Sequence, residues 1–374
     1  MMPEAVLKGR RMNFVICVLT CLAVIMYLLH MKGTKIIESI RIKSIYVSPV
    51  PMRQSRCSYV GFEIPKTGNR LGNHLFYYSA VMYVAWLTGR TPCIWTSLTN
   101  TLLDGVFDLD IAHVDITRFG CPLYRFTQRG VGVYDARVEA LLNVSDSESL
   151  VLKGPFGSWK YAEPIAGQLR QQLRFRPELA EFVADFLVTS VPEGWTSLKF
   201  VRVGVHVRRG DFLSPWALSR GFTTADEWYL QRAMSYFVER FLRVQFIVAS
   251  NDIGWCRKHV RWSAFNETRV NITFSVGHNA GQDLALLASC DHTVMTTGTY
   301  SWWAAWLANG TTVYYANFPK RGSWLSTQMR DSEYYHPDWI GIDDLTAGAE
   351  RRQEAGSSRN LSFSENLHRN VEKQ

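Results

Sequence analysis

None of the seven cysteines in this 374-residue chain stands at the spacing of a zinc site, which excludes the small metal-stapled folds. Missing too are an internal repeat, a basic helix and an aromatic RNA-binding signature. The net charge of +8 at pH 7 comes from scattered Lys and Arg, and nucleic acid is not an expected partner. Charged residues make up only 20% of the chain and hydrophobic ones 47%, the balance of a globular protein rather than a disordered one. A positive balance without nucleic-acid signals suits a protein that handles nucleoside diphosphates near an anionic membrane. The length suffices for two domains of ordinary size.

Long apolar runs are equally scarce. The membrane signal is residues 14–29, sixteen mostly apolar positions behind Lys8, Arg10 and Arg11. The run is short for a span of about twenty residues. It becomes adequate when Met12, Asn13, His30 and Met31 sit at the interfaces. A cleaved signal peptide is the rival reading, but His30-Met-Lys-Gly-Thr34 lacks a small-x-small cleavage pattern, which favours an uncleaved anchor over 14–31. Flanking charge does not orient it, because Lys32, Lys35, Arg41 and Lys43 follow the run. Sequons at Asn143, Asn266, Asn271, Asn309 and Asn360 fit a lumenal body behind a short cytoplasmic tail, 1–13. In an oxidising lumen the cysteines outside the anchor, Cys57, Cys93, Cys121, Cys256 and Cys290, allow at most two bridges and leave one thiol over. Cys256 with Cys290 is one candidate pair.

Residues 32–58 are polar and aperiodic and read as a stem. A helix is expected over 73–87 from Leu75, Phe76, Ala80, Tyr83, Val84 and Leu87, closed by Gly89, with a strand over 92–95. Residues 100–195 are weakly patterned; 164–187 reads as helix interrupted at Pro177, and Ser190-Val-Pro-Glu-Gly194 as a domain junction. Beyond it strands over 244–250, 292–297 and 312–315 alternate with helices over 282–289 and 301–307, the pattern of a parallel sheet covered by helices. This divides the body into 59–195 and 196–345, followed by a polar, disordered tail over 346–374.

Three constellations carry chemistry. In 199–212, Val201, Val203, Val205 and Val207 alternate with Arg202, Gly204, His206 and Arg208, the period of a half-buried strand. His206 and Arg208 therefore share a face. At the carboxyl end, where open α/β sheets place ligands, stand Arg208, Arg209, Gly210 and Asp211. A guanidinium there grips a phosphate or carboxylate with two parallel hydrogen bonds; the alternative is a surface turn with solvated arginines. Thr296-Thr-Gly-Thr-Tyr-Ser-Trp302 joins a strand to a helix with Gly298 in the turn and Ser301 as N-cap, either a phosphate cradle or a capped core helix. Asp283 opens the preceding helix, as a first-turn acid or as an acceptor for a base or ribose. Gly68-Asn-Arg-Leu-Gly-Asn-His74 opens a helix and offers Arg70 and Asn73. It is neither a Rossmann fingerprint nor a P-loop.

Together His206-Val-Arg-Arg-Gly-Asp-Phe, Asp283-Leu-Ala-Leu-Leu-Ala-Ser-Cys290, Thr297-Gly-Thr-Tyr-Ser-Trp-Trp-Ala-Ala-Trp-Leu-Ala308 and Arg70-Leu-Gly-Asn73 resemble the galactoside α-1,2-fucosyltransferases, glycosyltransferase family eleven. The likeness is close over 201–345, fair over 68–95, faint over 100–195 and absent in stem and tail. It implies a GT-B-type α/β architecture, two facing Rossmann-like domains with GDP-fucose held mainly by the second. It would place Arg208 on the diphosphate, with Arg209 beside it, and His206 and Asp283 near the guanine. Gly298, Thr299 and Ser301 would lie by the phosphates, and Arg70 with Asn73 across the cleft. The family pattern Gly-Arg-Leu-Gly-Asn-Gln is altered here, with Asn69 first and His74 last. The implied reaction moves L-fucose from GDP-β-L-fucose to the 2-hydroxyl of a terminal β-galactose, with inversion and no metal, at the Golgi membrane. Asp108-Leu-Asp110 has the form of a metal-binding D-x-D but reads as a chance match. Asp211 is the nominal base and equally a partner for Arg208 or Arg209; Asp226 and Glu227 are weaker candidates. Two alternatives stay open: fucosyl transfer to a protein hydroxyl, and a non-catalytic lectin stacking sugar on Trp302, Trp303 and Trp306.

Overall fold

The four-valine segment forms a strand at the middle of a parallel sheet in the computed structural model, which describes residues 57–64, 70–95, 102–115, 120–260 and 268–343. Every described residue belongs to one compact unit, Met52–Gln374. The expected cytoplasmic tail, the anchor, nearly all of the stem and the 346–374 tail lie outside the described residues, as do Asn69, Asn266 and Asn360. Among the described residues no helix is long and apolar enough to cross a membrane.

The first sheet holds β1 (Tyr59–Phe62), β2 (Thr91–Trp95), β3 (Ala112–Val114), β4 (Leu123–Thr127) and β5 (Ser149–Lys153) in the order β3-β2-β1-β5-β4. All pairings are parallel. Helix α1 (Leu71–Thr88) links β1 to β2 and ends at Gly89 in the left-handed conformation. Apolar side chains run round nearly its whole circumference, so it is buried on almost every side. Two shorter helices follow, α2 (Ala166–Gln172) and α3 (Pro177–Thr189), broken before Pro177 as the sequence suggests.

The second sheet is β6 (Val201–Val207), β7 (Val244–Ser250), β8 (Val270–Phe274), β9 (His292–Met295), β10 (Thr312–Tyr315) and β11 (Ile340–Ile342), in the order β11-β10-β9-β6-β7-β8. It too is parallel throughout. Its helices include α4 (Pro215–Arg220), α5 (Glu227–Val238), α6 (Ala280–Ala288), α7 (Thr299–Ala308) and α8 (Trp324–Thr327). Helices cover both faces of such a sheet. Hence β6 is not half-buried as its alternation suggests: Gly204 and His206 are as enclosed as Val203, Val205 and Val207.

The two sheets join through α1 and α7. The Phe76 ring lies 4.8 Å from Trp302 and 5.2 Å from Trp303. At their starts the helices touch so closely that a Cβ on Gly72 would fall 2.5 Å from the Tyr300 backbone nitrogen. The expected boundary at 195/196 falls in the connection from α3 to β6. The packing crosses that line: α3 lies against α6, and Gln245 donates to the Ser190 carbonyl at 2.6 Å.

A disulfide joins Cys57 and Cys121, ahead of β1 and β4, with Cα atoms 5.5 Å apart. Cys256 and Cys290 are both free and buried, so the pairing expected between them is wrong. Sequence spacing does not specify connectivity, and these two thiols sit in separate helical packings.

Candidate functional site

In each sheet the chain works outward on one side of its first strand and then returns to the other. The switch falls between β1 and β5 in the first sheet and between β6 and β9 in the second. Ligands of open α/β sheets bind at such a point, beyond the carboxyl ends of the strands. A single cavity of about 540 Å³ is lined from all four places: Arg70 and Asn73 after β1, Pro155 and Gly157 after β5, Arg208 and Asp211 after β6, and Thr297 to Tyr300 after β9.

Arg208 is anchored before its side chain reaches the cavity. Its backbone N–H donates to Thr296 Oγ1 at 2.9 Å, and that hydroxyl donates to the His206 carbonyl at 3.1 Å, tying the ends of β6 and β9 together. The Arg208 guanidinium is largely buried and holds Asp211 at 2.7 and 2.8 Å. Burial pulls its pKa down from the ordinary arginine value, and the Asp211 charge opposes this. Arg70 approaches the same carboxylate from the other sheet, at 3.4 Å. Two guanidinium groups thus converge on one acidic side chain, as they would on a diphosphate.

The helix starts add to this field. The N-caps of α1 and α7, Arg70 and Gly298, make no side-chain hydrogen bond to the first turns they open. Uncapped first turns carry outward N–H groups and the positive end of the helix dipole, and here two of them face one cavity. Gly298 has φ 90° and ψ 165°, a region open essentially to glycine alone. Beside it on the cavity lining the Thr297 hydroxyl is buried with no hydrogen-bond partner, so its donor and acceptor capacity is unused. Asn73 bridges the two helices by accepting from Thr299 Oγ1 at 2.7 Å.

Other expected site residues sit elsewhere. Ser301 is not the N-cap of α7, because the helix starts at Thr299; it lies buried in the first turn, bonded through Oγ to His206 Nδ1. His206 is thus enclosed, outside the cavity lining. Arg209 points to the opposite side of the strand end, stacked 3.9 Å from the Trp255 ring with Asp252 at 3.6 Å. Asp283 accepts from Ser275 Oγ at 2.6 Å, and burial raises its pKa above the ordinary carboxylate value. Asp108 and Asp110 are exposed and away from the cavity; Asp226 caps α5, and Glu227 pairs with His259 at 3.0 Å. His74 accepts from the Leu102 backbone at 3.2 Å, a loop tie rather than a ligand contact. Trp302, Trp303 and Trp306 are all buried, so none of them can stack on a sugar as the lectin alternative requires. Of the described sequons, Asn143 is exposed and Asn309 is exposed as the C-cap of α7. Asn271 lies part-buried on edge strand β8, accepting from Thr273 Oγ1 at 3.0 Å.

The sequence does not mark Trp216 on the lining, and it marks Thr297 and Tyr300 only as neighbours of Gly298 and Thr299 in the 296–302 turn. Tyr77 carries a positional signal, four residues after Asn73 on the same helical face.

Burial, and then the Arg208 charge, push the His206 imidazole down to about 3, so it is neutral at physiological pH. An unfolded histidine titrates near 6.5. Above that value neither state holds the proton and the stability is complete. Below it the unfolded chain takes a proton that the folded one refuses, so stability falls by about 1.4 kcal/mol per pH unit. His74 and His292, also lowered by burial, add to the loss with the same sign. Urea unfolding at pH 7.5, 6.5 and 5.5 should show this decline, and His206→Gln should remove about one proton's worth of the slope. An unchanged slope in the variant would assign the acid sensitivity elsewhere.

Two parallel sheets that turn their switch points, two guanidinium groups and two uncapped helix starts toward one cavity define an α/β protein with a positively charged cleft between its sheets. The family model described as Glycosyl transferase family 11 matches residues 58–343, and the chain belongs to that family. Galactoside 2-alpha-L-fucosyltransferase SEC1 of Bos taurus is 31% identical over 73% of this chain and 72% of its own length. Galactoside alpha-(1,2)-fucosyltransferase 2 of Sus scrofa is 30% identical over 73% of this chain and 78% of its own. Among solved structures, a mutant of Arabidopsis thaliana FUT1 in complex with GDP superposes with a TM-score of 0.48 at 13% identity, covering 70% of this chain and 72% of that one.

Proposed function

We propose that the protein transfers L-fucose from GDP-β-L-fucose to the 2-hydroxyl of a terminal β-galactose, with inversion. The observation that carries this reading is the convergence of Arg208, Arg70 and the two helix starts on one cavity. Membership of a family whose relatives are named galactoside fucosyltransferases supplies the sugar and the acceptor. In one displacement the negative charge grows on the departing GDP, and fixed N–H donors and guanidinium groups stabilise that growing charge. The two sheets serve as the facing halves of a GT-B-type architecture, the second binding the nucleotide.

No metal is required in this reading. Asp211 is the only carboxylate among the described residues lining the cavity, and both arginines already engage it. A divalent ion on a diphosphate is held by one or two free carboxylates. The Cys57–Cys121 disulfide supports an oxidising compartment and, with the apolar run 14–29, a single-pass type II Golgi membrane protein with a lumenal body.

The test is transfer from GDP-fucose to methyl β-galactoside by the full-length chain in EDTA, followed by linkage analysis. The expected product is α-1,2-linked. Transfer to a folded protein acceptor instead of any galactoside would overturn the acceptor assignment, and activity lost in EDTA but restored by manganese would overturn the metal-free one.

A further inference from the structure

We propose that Trp216 binds the acceptor, its indole stacking on the apolar face of the terminal galactose. The inference rests on the proposed reaction and locates the acceptor half of its site. Large aromatic side chains are normally enclosed, yet Trp216 is 62% exposed and lines the same cavity as Arg208 and Asp211.

The ring is held rather than loose. Helix α4, which carries it, is fixed at both ends: Ser214 Oγ accepts from the Ala217 N–H at 3.2 Å, and Gly221 closes the helix in the left-handed conformation. Four residues on, Arg220 places its guanidinium 5.0 Å from the Trp216 ring and 4.9 Å from that of Trp324. Phe222 supports the indole at 6.0 Å. What remains is a water-facing indole, braced by Arg220 and Phe222, beside the charged end of the cavity. A β-galactopyranose presents one continuous C–H face because its axial 4-hydroxyl lies on the other side. That face and an indole bury apolar area against each other, while the sugar hydroxyls stay free for polar contacts.

The donor end bears none of this, so the two substrates separate in kinetics. Trp216→Ala in the full-length chain should raise KM for methyl β-galactoside about tenfold, leaving kcat and the KM for GDP-fucose within about twofold of the parent. Trp216→Phe should recover most of the loss. The melting temperature should stay unchanged, since the side chain is mostly in water. An acceptor KM unmoved in Trp216→Ala would overturn the assignment. So would a matching loss of GDP binding by calorimetry, which would make Trp216 part of the donor site. A parent enzyme that binds GDP but fucosylates no galactoside would strike the proposed reaction itself, an outcome read before any variant is made.

Discussion

Replacing Arg208 by alanine is expected to lower fucosyl transfer by at least about 10²- to 10³-fold in kcat while the protein stays folded. The size follows from where the charge appears. A donor that meets the diphosphate equally in the ground and transition states would change KM alone, whereas one aimed at charge that grows during the reaction changes kcat. Arg208 stands at the switch point of the second sheet, with its backbone pinned by Thr296 and its guanidinium partly withdrawn from water. In such a site an oriented donor interacts more strongly than in solvent and does not reorganise at the moment of reaction. Arg208→Lys should recover only part of the loss, because an ammonium lacks the planar fork. Single-turnover rates with saturating GDP-fucose, beside a thermal melt of each variant, are the measurement. A folded Arg208→Ala protein with near-normal turnover would remove Arg208 from the reaction.

Arg208 was legible because period-two alternation and a carboxyl-end turn are local properties of the chain. The same alternation misleads at His206, and the turn position misleads at Arg209. Alternation says which residues share a face but not what covers that face, and here Ser301 of α7 and Trp255 cover the two sides of the strand end. Serine is a preferred N-cap, so the sequence points to Ser301 in that place. The helix starts two residues earlier at Thr299, behind a glycine whose φ and ψ no other residue adopts readily. Strands β4 and β5 were hidden for a different reason. Leu123–Thr127 is a largely exposed edge strand without clean alternation, and Ser149–Lys153 is a short apolar run in a weakly patterned stretch. The place of β5 beside β1, and of β4 beyond it at the edge, is a long-range fact, as is the Cys57–Cys121 bridge. The second sheet was read more fully because its strands and helices alternate at short, regular intervals.

Asp211→Asn is expected to lower kcat by about 10²- to 10⁴-fold, the usual contribution of a positioned general base. The acceptor hydroxyl must pass its proton to a group within hydrogen-bond reach, and among the described lining residues Asp211 alone carries a carboxylate. The tyrosines there are no substitute: burial pushes Tyr77 up to about 12 and Tyr300 well above the ordinary phenol value. Yet Arg208 and Arg70 both hold Asp211, which makes it equally a place-holder for the diphosphate. The two roles separate by measurement, since asparagine keeps the size of the side chain and loses its charge. A place-holder that leaves when GDP arrives costs binding energy, so Asp211→Asn would tighten GDP and spare kcat. A base lost from the site would cut kcat whatever happens to GDP affinity. Because 42% of the side chain is exposed and it faces the same space as Trp216, a carboxylate released from Arg208 by the incoming diphosphate would be left beside the acceptor. The expected result is therefore both effects at once, GDP bound at least as tightly and kcat strongly reduced. Tighter GDP with kcat unchanged would confine Asp211 to placing the arginines.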